Sequence, residues 1–143
     1  MAKFNLMTQF VKDFSFESPN APELFFKQED TSAKMEINFD LQVKGTENDL
    51  YMVDVITKLH SKLDKDSKTI FMIELVYSGL VHAEKGSDEE DLKRTLMIDV
   101  PAMLFPAIRA LVLRVTSESG FPPFALQPVD WKDIYENKAK ESK

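Results

Sequence analysis

Ala33, Met35, Ile37, Phe39, Leu41 and Val43 alternate with Lys34, Glu36, Asn38, Asp40, Gln42 and Lys44. Side chains of an extended strand point to opposite faces in turn, so this period of two predicts a strand with one dry and one wet face. After residues 45–49 the alternation resumes. Tyr51, Val53, Val55, Leu59 and Leu63 take one side, Asp54, Lys58, His60 and Lys62 the other, and residues 64–67 supply turn chemistry. In 69–79, Phe71, Ile73, Leu75 and Tyr77 oppose Ile70, Met72, Glu74 and Val76, which predicts a strand that meets something on each face. An earlier segment, 9–17, sets Phe10, Phe14 and Phe16 against Val11, Asp13 and Ser15. Short connections between such segments predict a four-stranded antiparallel meander. The link over 19–32 is longer and carries Phe25 and Phe26 in polar company, unlike a loop that merely connects.

Past Gly86 the pattern becomes helical. Ser87 offers a cap, residues 88–91 are all acidic and suit the positive end of the helix dipole, and Leu92 and Leu96 share a face. Asp99 restarts the helix with Pro101 in its first turn, and Gly120 is suited to end it. Pro106, too deep for a first turn, predicts a break or kink. Between residues 103 and 115 ten positions are apolar, interrupted by Pro106, Arg109 and Arg114. A helix lying on one sheet needs a single apolar stripe, so the surplus predicts burial between protomers of an oligomer. A proline-stiffened aromatic connector follows, with Phe121, Phe124 and Leu126, and Asp130 is placed to cap a last helix in which Trp131, Ile134 and Tyr135 share a side. The fold class is α+β: a four-stranded antiparallel sheet with C-terminal helices in a single domain over 1–143, with about 1–7 and 138–143 as flexible ends.

A chain of 143 residues is one domain's worth and buries roughly 70% of its unfolded surface on folding. Acidic residues outnumber basic ones 24 to 18, for a net charge of -6, and no basic block could neutralise a run of phosphates. Nucleic acid is therefore not an expected partner. The absence of cysteine excludes disulfides, thiolate metal sites and cysteine nucleophiles, and fits a reducing compartment. The start of the chain lacks a secretory pattern, and the thirteen-residue apolar stretch falls short of the ~20 needed to span a bilayer. The expectation is a cytoplasmic protein without direct membrane insertion.

Little chemistry is on offer. His60 and His82 have no neighbours at metal-ligand spacing, and the acidic run at 88–91 lacks the spacing of a calcium loop. The four glycines are isolated, so no phosphate-cradling loop exists, and Ser78-Gly79 is no nucleophile elbow. No enzyme activity, metal or cofactor is expected. A small α+β ligand-binding protein or enzyme with a carboxylate-lined pocket is the alternative, and would need an interior cavity with a strongly shifted carboxyl group. For Phe25, Phe26, Phe121 and Phe124 two readings stay open: lids on the domain's own core, or an exposed apolar groove.

Four motifs together carry a family likeness: Val11-Lys12-Asp13-Phe14-Ser15-Phe16-Glu17, Pro19-Asn20-Ala21-Pro22, Leu104-Phe105-Pro106-Ala107-Ile108-Arg109, and the run from Gly120 through Pro122-Pro123 and Gln127-Pro128-Val129-Asp130 to Trp131. In this order, over about residues 8–137, the chain resembles the SecB protein-export chaperone family. The resemblance implies a homotetramer, a dimer of dimers with the long helices between the sheets. It implies an ATP-independent holdase that binds unfolded precursor proteins and passes them to the SecA motor. The SecA-binding face falls on Asp13, Glu17, Met72 and Glu74. The client groove falls on Phe25, Phe26, Phe105, Phe121, Phe124, Leu126 and Trp131. A chaperone dedicated to a toxin–antitoxin pair, a role some relatives serve, is a further alternative. The lysine-bearing tail is shorter and less acidic than in many relatives.

Overall fold

Every second side chain of a paired strand turns toward the same neighbour, and in the computed structural model four such strands form one antiparallel sheet. The structure describes residues 3–26, 32–84 and 88–141. Numbered along the chain, the strands are β1 (Phe4–Glu17), β2 (Ala33–Gly45), β3 (Leu50–Leu63) and β4 (Thr69–Ala83). The helices are α1 (Glu23–Phe26), α2 (Glu89–Arg94), α3 (Val100–Ser117) and α4 (Trp131–Glu141). The strand order is β1-β4-β3-β2, which corrects the expected meander. β2, β3 and β4 follow one another through tight turns, but β1 lies beyond β4, giving a Greek-key order. The long link containing α1 must therefore travel from one edge of the sheet to the other, which is why it is long. Ser18 Oγ donates to the Ile70 carbonyl at 2.8 Å and Asn20 Nδ2 to the Thr69 carbonyl at 2.9 Å, fastening the link to the start of β4 on the way.

β1 starts at Phe4, five residues before the alternation suggested, so residues 4–6, expected at a flexible end, are paired with β4. Two register shifts, between Leu6 and Thr8 and between Val11 and Asp13, insert Met7 and Lys12 as extra residues. Directly opposed residues share a face, and each extra residue flips the alternation that follows. Phe14 and Phe16 oppose Leu75 and Ile73 on the helix-covered face, whereas Phe10 opposes Ser78 on the outer face. The expected common face for Phe10, Phe14 and Phe16 is thus corrected.

Asp88 caps α2, its carboxylate accepting from the Glu90 N–H at 3.3 Å; the expected Ser87 cap lies outside the described residues. The anticipated restart at Asp99 is replaced by continuity. A π-helical turn, Thr95–Asp99, joins α2 to α3, with the Val100 N–H bonded to the Thr95 carbonyl. This widened turn ends at Asp99, just before Pro101, whose missing N–H would otherwise interrupt an α-helical ladder. Pro106 lies inside α3 without ending it. The helical run Glu89–Ser117 is 29 residues, long and apolar enough to cross a membrane, which corrects the length-based expectation. Its buried stripe is nonetheless committed to the sheet. Leu104, Ile108 and Val112, four residues apart, are fully buried with Val53, Val55, Ile73, Leu75 and Val81. Each such side chain contributes about 1.5–3 kcal/mol of burial. α3 comes so close to β4 that a Cβ on Gly79 would stand 3.2 Å from Leu104 Cδ2 and 3.0 Å from Leu6 Cδ1.

At the C-terminal end, Asp130 caps α4 as expected, accepting from the Asp133 N–H at 3.0 Å. α4 continues to Glu141, so the expected flexible tail from 138 is helical for its first four residues. Lys138 donates to the Leu41 carbonyl and to Asp40 Oδ1, fixing α4 along β2.

Candidate functional site

The crossing link and the proline-rich connector meet at one end of the sheet. There they enclose a cavity of about 420 Å³ lined by Leu24, Phe25, Ala33, Met35, Ser61, Leu63, Ile70, Phe71 and residues 120–124. Phe25 stacks on Phe121 with ring centroids 4.8 Å apart, and Phe121 continues to Phe71 at 6.0 Å. Gly120 makes this stack possible. Its φ is +88°, and a Cβ there would lie 3.0 Å from Phe25 Cζ. Phe25 is 46% exposed, so the stack is a wall of the cavity and not a sealed lid. Among the described residues no carboxylate lines the space, so they give this cavity no basis for the carboxylate-pocket alternative. Among the described residues no group of three or more His, Asp or Glu could hold a metal ion.

The seven groove residues named by the resemblance do not all meet here. Phe25, Phe121 and Phe124 line the cavity. Phe26 is 75% exposed and is not part of the lining. Phe105 and Trp131 belong to a second cluster with Phe39, packed edge to face at 5.6–6.5 Å. Trp131 and Leu126 are buried core side chains of the protomer and do not line this cavity. The cavity also uses Met35, Leu63, Ile70 and Phe71, which pattern reading assigned to strands alone. The signal that could have found them is their shared position at the ends of β2, β3 and β4, where the long link must cross.

On the outer face of the sheet, Glu17 stands directly opposite Met72, Ser15 opposite Glu74, and Asp13 opposite Val76. The register therefore puts all four residues of the expected docking face on one side of neighbouring strands, with Asp13, Glu17 and Glu74 exposed. Rows continue across β3, where His60 opposes Met72 and Lys58 opposes Glu74. His60 Nε2 lies 2.8 Å from Thr69 Oγ1, an ordinary strand-face hydrogen bond.

α3 presents a third feature. Opposite its buried stripe, Met103 is 48% and Leu113 39% exposed, with Pro106 and Ala110 between them also exposed. None of the described residues covers this apolar line.

Residues 1–142 match the family described as preprotein translocase subunit SecB. The chain is 37% identical over 134 residues to the protein-export protein SecB of Caulobacter vibrioides, covering 94% of this chain and 80% of that one. Against the protein of the same name from Bartonella bacilliformis it is 34% identical over 135 residues, covering 94% and 82%. Among solved structures, a SecB-like chaperone of Mycobacterium tuberculosis in complex with an antitoxin peptide is similar in fold. That match has a TM-score of 0.72 and 15% identity, covering 88% of this chain and 90% of the other.

Proposed function

Since the chain belongs to the SecB family of protein-export chaperones, we propose that it works as an ATP-independent holdase in the cytoplasm, keeping unfolded precursors competent for translocation and delivering them to SecA. The observation that carries this reading is the open aromatic cavity between Phe25, Phe71, Phe121 and Phe124. An unfolded chain exposes the side chains such a space removes from water, at roughly 25 cal/mol per Å² of apolar area, and burial of this kind is indifferent to sequence. Several weak contacts along one client add through effective concentration, so folding is delayed without fuel.

The working unit is a homotetramer, a dimer of dimers, supported by the uncovered Met103–Leu113 line of α3. Four chains would carry about -24, enough to attract net-positive clients and to lose that attraction as salt rises. The outer face bearing Asp13, Glu17, Met72 and Glu74 docks a basic segment of SecA, away from the client cavity.

Suppression of aggregation of an unfolded precursor, at one tetramer per client and without nucleotide, tests the holdase. Nucleotide dependence or a stable monomer by light scattering would overturn it, and activity confined to one client would replace general export with a dedicated role. Asp13→Lys combined with Glu74→Lys is expected to weaken SecA binding and leave tetramer and holdase intact. Loss of all three together would count against a separate docking face.

A further inference from the structure

The second extra residue of β1 lies between Val11, opposite Tyr77, and Asp13, opposite Val76. That residue is Lys12. Its ammonium reaches over β4 to β3, where Nζ donates to Asp54 Oδ2 at 3.1 Å. The other oxygen of the same carboxylate accepts from Ser78 Oγ on β4 at 2.5 Å. One carboxylate thus ties three strands, with Asp54 and Ser78 buried and the Lys12 side chain 53% exposed.

What the tie holds in place follows from counting. With Val11 kept opposite Tyr77 and no extra residue, Asp13 would oppose Leu75 and Glu17 would oppose Phe71, both on the helix-covered face. Phe14 and Phe16 would then turn to water. A strand with one buried face resists such a slip, yet a bulge is also a place where pairing is locally broken. A cross-strand ion pair anchored on a buried hydrogen bond fixes where that break occurs.

We propose that Lys12 is a positioning residue for motor docking: through Asp54 and Ser78 it pins the Val11/Asp13 bulge and so holds Asp13 and Glu17 on the same face as Met72 and Glu74. This rests on the reading of that face as the SecA dock. Charge alone makes the opposite forecast, because removing a cation from an acidic face should tighten the grip on a basic segment.

The test uses full-length Lys12→Met and Lys12→Arg proteins, with Asp54→Asn as a second way to loosen the tie should Lys12→Met fold poorly. Register is read as disulfide yield between Glu17→Cys and Met72→Cys, which sit directly opposite each other. Docking is read, without those cysteines, as affinity for purified SecA at low salt. Lys12→Met and Asp54→Asn are expected to lower the disulfide yield, and Lys12→Met to weaken SecA binding about fivefold with aggregation suppression unchanged. Lys12→Arg is expected to restore both. An unchanged disulfide yield, or tighter SecA binding in Lys12→Met, overturns the proposal. If the parent protein itself does not bind SecA while the yield still falls, the docking reading fails and the role of Lys12 in setting the register stands.

Discussion

Two clusters of aromatic rings flank the same sheet, and they differ in what holds them. At one end Phe25, Phe121, Phe71 and Phe16 form a chain of stacked and tilted contacts at interplanar angles of 21–34°, with centroids 4.8–6.0 Å apart. On the side of β2, Phe39, Phe105 and Trp131 meet edge to face at interplanar angles of 67–72°. The second cluster is held by a long strand, an 18-residue helix and an 11-residue helix. The first hangs partly on α1, four residues long and without a buried side chain. Residue type is the same in both, so it cannot decide which cluster is core and which is groove. The anchoring decides: a ring carried by a segment with few buried contacts opens at low cost, whereas a ring wedged between long packed elements opens only with the fold.

Substitution at Trp131 should have the largest effect. Trp131→Ala removes a buried ring that touches Phe39 and Phe105 and stands on the first turn of α4. A loss of roughly 3–5 kcal/mol in urea unfolding is expected. A loss below about 1 kcal/mol would erase the distinction between the two clusters, because it would show that the closed one is held no better than the open one.

Phe25→Ala provides the matching measurement in the open cluster. With almost half of its surface already in water, the ring contributes little to the fold, and the change in stability should stay under about 1 kcal/mol. Its effect should appear instead in client holding. Removal of the outer wall of the cavity should raise the amount of chaperone needed to suppress aggregation by several-fold, about 1 kcal/mol per client contact. A variant that holds clients as well as the parent would sharpen the comparison differently, moving the client site away from this cavity.

The same contrast explains what could be read in the chain beforehand. β2 and β3 were legible because each has a wet side that interrupts the apolar residues, and β4 because its run, apolar on both faces, follows the expected turn at residues 64–67. β1 was only half legible. Phe10, Phe14 and Phe16 are all even-numbered, and alternation has no way to register the extra residue at Lys12 that puts Phe10 on the other face. Pro106, read as a break or kink, lies inside a helix that runs on to Ser117, while the turn preceding Pro101 widened without any apolar signal to mark it. Among the site residues, alternation alone paired Met72 with Glu74. Bringing Asp13 and Glu17 beside them required the β1–β4 register, which depends on contacts about sixty residues apart in sequence. Leu126 and Trp131 were separated from Phe121 and Phe124 by the path of the connector, and no local pattern records whether such a segment returns to the open end of a sheet or to its closed side.

The smallest expected effect concerns the outer fastening of the closed cluster. Four residues beyond Trp131 on α4, Tyr135 donates its phenolic proton to Glu90 Oε1 on α2 at 2.9 Å, and the Arg94 guanidinium lies 6.0 Å from its ring centre. Burial first, then the hydrogen bond and the negative charge of Glu90, raise the Tyr135 pKa above 10.0, with Arg94 pulling the other way. A folded-state pKa above the unfolded value means that the clasp contributes fully below pH 10 and is lost as pH climbs through the raised value. Tyr135→Phe should therefore leave stability near neutral pH almost unchanged and flatten its decline on the alkaline side, followed by urea unfolding across that range. The effect is small because the bond is exposed to water, which competes for both partners. An alkaline decline identical in parent and variant would show that α4 is held by Trp131 and Lys138 alone, and that the closed cluster owes nothing to its outer clasp.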